Sequence, residues 1–121
     1  MPGFGGTQNL ARLIGPNKAN EMIFTGRIIT AHKALSWGIV NELFAPEELM
    51  AKTLETAREI AGKGMLGVGY SKDSIANGLN MTKEDSFRYE ASVFAVLFST
   101  EDQREGMGAF LEKRKADFKG K

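Results

Sequence analysis

Apolar side chains recur along this chain at intervals of three and four residues, the spacing that lays them on one side of an α-helix. Gly6 and Thr7 predict the opening of a short helix through Leu13, closed by Gly15. Pro16 suits the first turn of the next helix, where an N–H would have no partner to lose. Ala19, Met22 and Ile23 give that helix an apolar stripe as far as Gly26. Thr30 is a good cap for a short helix from Ala31 to Trp37, with Gly38 as its left-handed stop. Ile39 to Phe44 is the one stretch that reads as extended. Pro46 starts a longer helix with Glu47 and Glu48 at its positive end, and Leu49, Leu54, Ala57 and Ile60 share a face until Gly62.

Met65 to Gly78 reads as a further helix, weakened near its start by Gly67 and Gly69. Thr82 with Asp85 approaches a capping box and opens a helix to Phe98, with Phe87, Ala91, Phe94 and Leu97 expected inside. Thr100 with Gln103 opens the last one, Glu101 to about Lys115, with Met107, Phe110 and Leu111 expected inward. The fold class is therefore all-α. Residues 1–64 form a helical linker and first helices, and residues 65–121 a C-terminal helical region, together one structural unit. The helix from Glu84 to Phe98 also carries Tyr89, Val93 and Val96, so it is apolar around more than one stripe. Such a helix needs neighbours on two sides, and part of its surface is expected to meet another chain.

Composition narrows the function classes. The 121 residues suit one domain. A net charge of +1 gives no field favouring nucleic acid or anionic lipid. With no cysteine and one histidine, no thiolate nucleophile or histidine-rich metal centre can form. The longest apolar run, Val93 to Phe98, is far short of the roughly 20 residues that span a bilayer. The N-terminus has no basic segment followed by an apolar one, so a cytoplasmic protein without a secretory signal is expected.

Candidate chemistry is sparse. Water-adding chemistry with two carboxylates needs an acid and a base converging on one bond. Glu47 and Glu48 are adjacent and diverge on a helix; Glu101, Asp102 and Glu105 occupy a helix start, and Glu84, Asp85 and Glu90 a solvent face. Each set is explained by helix electrostatics. His32 has no acidic neighbour at helical spacing, and Trp37 reads as a core anchor. Gly3-Phe4-Gly5-Gly6-Thr7 permits close backbone approach to a ligand, but lacks the Lys-Ser/Thr ending of a P-loop and the spacing of a dinucleotide fingerprint. Lys113-Arg114-Lys115 suits phosphates, or simply the negative end of a helix.

Blocks in the same order along the whole chain resemble the C-terminal part of the crotonase superfamily, on its enoyl-CoA hydratase / 3-hydroxybutyryl-CoA dehydratase side. They run from Pro2-Gly3-Phe4-Gly5-Gly6-Thr7-Gln8 through Phe24-Thr25-Gly26-Arg27, Ala31, Ala34, Gly38-Ile39-Val40 and Ser71-Lys72. Ser99-Thr100-Glu101-Asp102-Gln103-Arg104-Glu105-Gly106-Met107 and Phe110-Leu111-Glu112-Lys113-Arg114 complete them. The resemblance implies the helical part of the crotonase (ClpP/crotonase-like) fold without its ββα spiral domain. It also implies that the oxyanion donors and both catalytic glutamates precede Pro2, so this chain alone is expected to be inactive. Gly3 matches a glycine whose N–H helps place the catalytic water. Phe94 and Lys113 match residues that hold the coenzyme A nucleotide across a subunit boundary. Helical spacing allows core packing for Phe94 as well, and Lys113 also fits a solvated helix end. Asn9 stands where arginine is usual, so a salt bridge from that position is lost.

The implied partners are an acyl-CoA substrate, with coenzyme A part of it and no separate cofactor or metal, and further copies of the chain, as trimers or hexamers. Neither nucleic acid nor membrane is implied. A non-catalytic interaction module and an enoyl-CoA isomerase stand as alternatives.

Overall fold

The computed structural model describes residues 1–121 and contains seven helices and no strand: α1 (Gly6–Ile14), α2 (Pro16–Thr25), α3 (Ala31–Ser36), α4 (Pro46–Ala61), α5 (Met65–Gly78), α6 (Lys83–Leu97) and α7 (Glu101–Leu111). The expected helices form with the expected caps. The threonine side chains of Thr30, Thr82 and Thr100 accept the N–H groups of Lys33, Asp85 and Gln103, satisfying donors that a helix start leaves orphaned. Ile39–Phe44 corrects one expectation. It passes through bends into irregular chain and finds no partner strand; six residues without a neighbouring strand cannot satisfy a ladder.

The chain divides into two compact units, Met1–Lys52 and Thr53–Lys121. Residue 64, where the sequence pattern places its division, is the N-cap of α5. In the first unit α1 packs on α2 through the sharp corner at Gly15. Gly15 has φ 84°, a conformation open to glycine, and it ends α1 while Pro16 starts α2. The corner brings Ile14 and Ala19 inside; Ala19 is 1% exposed.

In the second unit α5 packs on α6. The Tyr89 hydroxyl of α6 donates to Asp73 of α5. Asp73 also accepts from the Asn77 amide at 2.9 Å. The hydrogen bond to Asp73, then desolvation, raises the Tyr89 pKa.

Which sides of α6 and α7 are covered differs from the expectation. On α6 the half-buried positions are Ser86, Tyr89, Val93 and Leu97, whereas Phe87, Ala91 and Phe94 are exposed. On α7 Asp102 and Ala109 are buried while Met107, Phe110 and Leu111 are exposed. Helix α7 also stops at Leu111, not near Lys115. Only Ile14, Ala19 and Ala109 are buried apolar residues, too few to make a self-sufficient core.

Candidate functional site

The C-terminal residues fold back along α7 and are fixed there mainly by polar contacts. Asp102, in the first turn of α7, is only 7% exposed. A buried carboxylate needs donors. Its Oδ1 accepts from the Lys119 N–H at 2.6 Å and its Oδ2 from the Gly120 N–H at 2.9 Å. The Asp102 N–H donates in turn to the Lys121 carbonyl at 3.0 Å. One turn on, Glu105 receives the Arg114 guanidinium as a fork, at 2.5 and 2.9 Å, and the Asp117 N–H at 2.8 Å. The guanidinium, then the Asp117 amide, holds the Glu105 carboxyl down at about 2. Arg114 also donates to Glu112 at 2.6 Å; Glu105 first and Glu112 second push its pKa up. Lys119 pairs with Asp117 at 2.6 Å, which raises the ammonium pKa.

The Phe118 ring sits where Gly64 and Gly106 leave room. A Cβ on Gly106 would lie 3.3 Å from the ring and one on Gly64 3.5 Å from it. Beside the ring is an apolar hollow of about 340 Å³, lined by Leu66, Phe94, Leu97, Phe98 and Met107 among others. Phe94 is 59% exposed and meets Phe98 edge to face, with centroids 5.1 Å apart.

Lys113 ends α7. Its N–H donates to the Phe110 carbonyl at 3.3 Å, and the next N–H, of Arg114, donates to the Ala109 carbonyl at 3.0 Å. These two bonds form the Schellman arrangement, with Lys113 in the left-handed position at φ 54°. Its ammonium is exposed and has no ion-pair partner. Phe110, one turn back, is 79% exposed. The aromatic face beside Lys113 in the chain is thus Phe110, while Phe94 lines the hollow with Phe118. Gly3 lies in the first unit, in the turn before α1, where its carbonyl accepts the Gly6 N–H at 2.9 Å. Phe4 and Gly5 follow it with positive φ, and Phe4 is wholly exposed.

The acidic sets weighed from sequence do not converge. Glu47 and Glu48 lie exposed in the first turn of α4, and Glu84 and Asp85 both pair with Arg88, at 2.5 and 3.8 Å. No three of the chain's Asp, Glu and His side chains group as metal ligands. Sequence reasoning missed the roles of Asp102, Glu105 and Phe118. The signal available was the pair Glu105 and Arg114, nine apart, one on the helix and one just past its end.

These features sit on a chain of known family. The family described as enoyl-CoA hydratase/isomerase matches residues 1–121, and the chain belongs to it. It is 44% identical over 117 residues to the crotonyl-CoA hydratase of Syntrophomonas wolfei, covering 97% of this chain and 45% of that protein. It is 42% identical over 116 residues to the short-chain-enoyl-CoA hydratase of Clostridium acetobutylicum, covering 96% and 44%. The crystal structure of enoyl-CoA hydratase from Bacillus anthracis superposes with a TM-score of 0.97 at 38% identity, over all of this chain and 47% of that one. The chain spans somewhat under half the length of these relatives, and the all-helical architecture matches a part of the crotonase fold. No helix is long and apolar enough to cross a membrane.

Proposed function

We propose that this chain supplies the coenzyme A-facing and subunit-joining helices of an enoyl-CoA hydratase, a lyase that adds water to a trans-2-enoyl-CoA to give a 3-hydroxyacyl-CoA. The observation that carries this reading is the family match over every residue of the chain. Lys113, unpaired and exposed, is suited to a phosphate of the nucleotide. Phe94 offers an exposed ring for its base, and Phe110, nearer Lys113, offers a second. Gly3 contributes a backbone contact to the water. Coenzyme A enters as part of the substrate, with no separate cofactor. The open apolar sides of α6 and α7 pack in a trimer or hexamer, and the assembly works in the cytoplasm. The reactive carboxylates are not among this chain's acids, so the chain alone leaves crotonyl-CoA unchanged. An isomerase is the second reading, since the matching family's description names both activities.

A chimera tests the proposal. This chain replaces the matching segment of the Syntrophomonas wolfei hydratase, and crotonyl-CoA hydration is followed. The expected result is an active oligomer in which Lys113→Ala raises KM roughly tenfold, the loss of one charge-assisted contact, with kcat kept. A folded oligomer that is inactive, or one indifferent to Lys113→Ala, refutes the assignment.

A further inference from the structure

Lys113 follows one glutamate directly in the chain and comes after another on α7, yet its ammonium pairs with neither. Both carboxylates are taken by the next residue. The Arg114 guanidinium forks onto Glu105 at 2.5 and 2.9 Å, and its Nε donates to Glu112 at 2.6 Å. Its Nη1 also donates to the Lys115 carbonyl at 3.3 Å. Oε1 of Glu105 accepts the Asp117 N–H as well, at 2.8 Å. One carboxylate on the helix therefore ties down the chain just beyond Lys113, while the Phe110 and Ala109 carbonyls hold the N–H groups of Lys113 and Arg114. The turn at Lys113, with φ 54°, is thus held by a side-chain pair as well as by the backbone. Arg114 keeps the Glu105 carboxyl at about 2, so the fork is fully charged near neutral pH.

The Arg114 charge is matched by two carboxylates, so its own pull on a third anion is small. Its rigid fork of donors suits it to hold several acceptors at once, which an ammonium does not do. We infer that Glu105 and Arg114 are positioning residues for Lys113: their fork fixes the turn from which the Lys113 side chain leaves the helix. The inference rests on the phosphate contact proposed above for Lys113 and adds the two residues that set it. It has a sign that separates it from a simpler electrostatic role. If Arg114 were a phosphate ligand held back by Glu105, neutralising Glu105 would free it and tighten binding. With the fork as a brace, the same change loosens the turn and weakens binding, although the local charge becomes more positive.

The chimera described above carries the test, with crotonyl-CoA and crotonyl-pantetheine as paired substrates. The second lacks the nucleotide and every phosphate, so it does not report on Lys113. Glu105→Gln keeps the shape of the side chain and removes its charge. The expected result is a KM for crotonyl-CoA raised roughly threefold, part of the cost of fixing one residue's backbone. The kcat is kept, and KM for crotonyl-pantetheine does not move. Arg114→Lys keeps a positive charge but cannot fork, and it gives the same split should Glu105→Gln fail to assemble. A KM for crotonyl-CoA that falls or stays level in these variants overturns the inference. An equal rise with both substrates also overturns it, because that marks a general loss of structure. Lys113→Ala in the same chimera tells this failure from that of the reading beneath it. If Lys113→Ala raises KM roughly tenfold while Glu105→Gln does not raise it, the phosphate contact stands and the brace falls. If Lys113→Ala has no effect, both fall.

Discussion

Helix α6 has two apolar sides, and its own unit covers one of them. On the covered side Ser86, Tyr89, Val93 and Leu97 are half-buried, and Tyr89 is bonded to Asp73 of α5. On the other, Phe87, Phe94 and Phe98 stand more than half exposed. Helix α7 repeats the contrast, with Asp102 and Ala109 buried and Met107, Phe110 and Leu111 open. The second unit is thus closed in good part by polar groups, small residues and backbone donors, while four of its five phenylalanines face outward. Interiors normally reverse that division. The difference separates what holds this unit together from what it offers to another surface, and substitutions on the two sides should have opposite signatures.

Asp102→Ala is the strongest way to break the covered side. It strips a buried carboxylate from two backbone donors and should cost about 2–4 kcal/mol in urea unfolding, from charge-assisted bonds lost and N–H groups orphaned. A loss under about 0.5 kcal/mol would mean the C-terminal residues are not held as described. Phe118→Ala should follow with about 1–2 kcal/mol, less than a fully buried phenylalanine because the ring is half-buried. It should also speed proteolysis beyond Lys115.

Acid has a smaller effect on the same contacts. The Glu105 carboxyl sits at about 2 in the folded chain against an ordinary 4.5, so its contribution is complete above 4.5 and fades as pH falls towards 2. The Asp117 amide resonance should therefore move with a midpoint well below 4.5; a midpoint at 4.5 would show that the Arg114 fork does not persist in solution. Smallest of all, Phe110→Ser with Leu111→Ser, at 79% and 75% exposure, should alter unfolding of the chain by no more than about 0.5 kcal/mol, as exposed positions do. Sedimentation of the same variant should nevertheless shift towards lighter species. A large stability loss there would erase the distinction between the two sides.

Local grammar made the helices legible. The threonines at 30, 82 and 100, Pro16, and the glycines at 15, 26 and 38 each mark a boundary through chemistry confined to a few residues. The faces were not legible, because periodicity shows only that a stripe is apolar. It does not say which surface the stripe meets, and α6 carries two stripes. The end of α7 was misplaced for a related reason. Lys113 adopts a conformation usually left to glycine, so no glycine marked the stop. Of the candidate site, Phe94 and Lys113 came from resemblance, and they do not share one hollow. The Asp102 and Glu105 contacts depend on a return of the chain 9 to 19 residues later, a separation that local pattern does not register.

The left-handed backbone at Lys113 has a consequence of its own. A glycine there would relieve roughly 1 kcal/mol of steric cost, yet would surrender the unpaired ammonium at the end of the last helix. With its backbone pinned by two hydrogen bonds, the residue swings its amine about fewer joints than a lysine on a loose tail. An incoming anion would find the backbone share of that freedom already spent, with the side chain's own torsions left to order in closing on it.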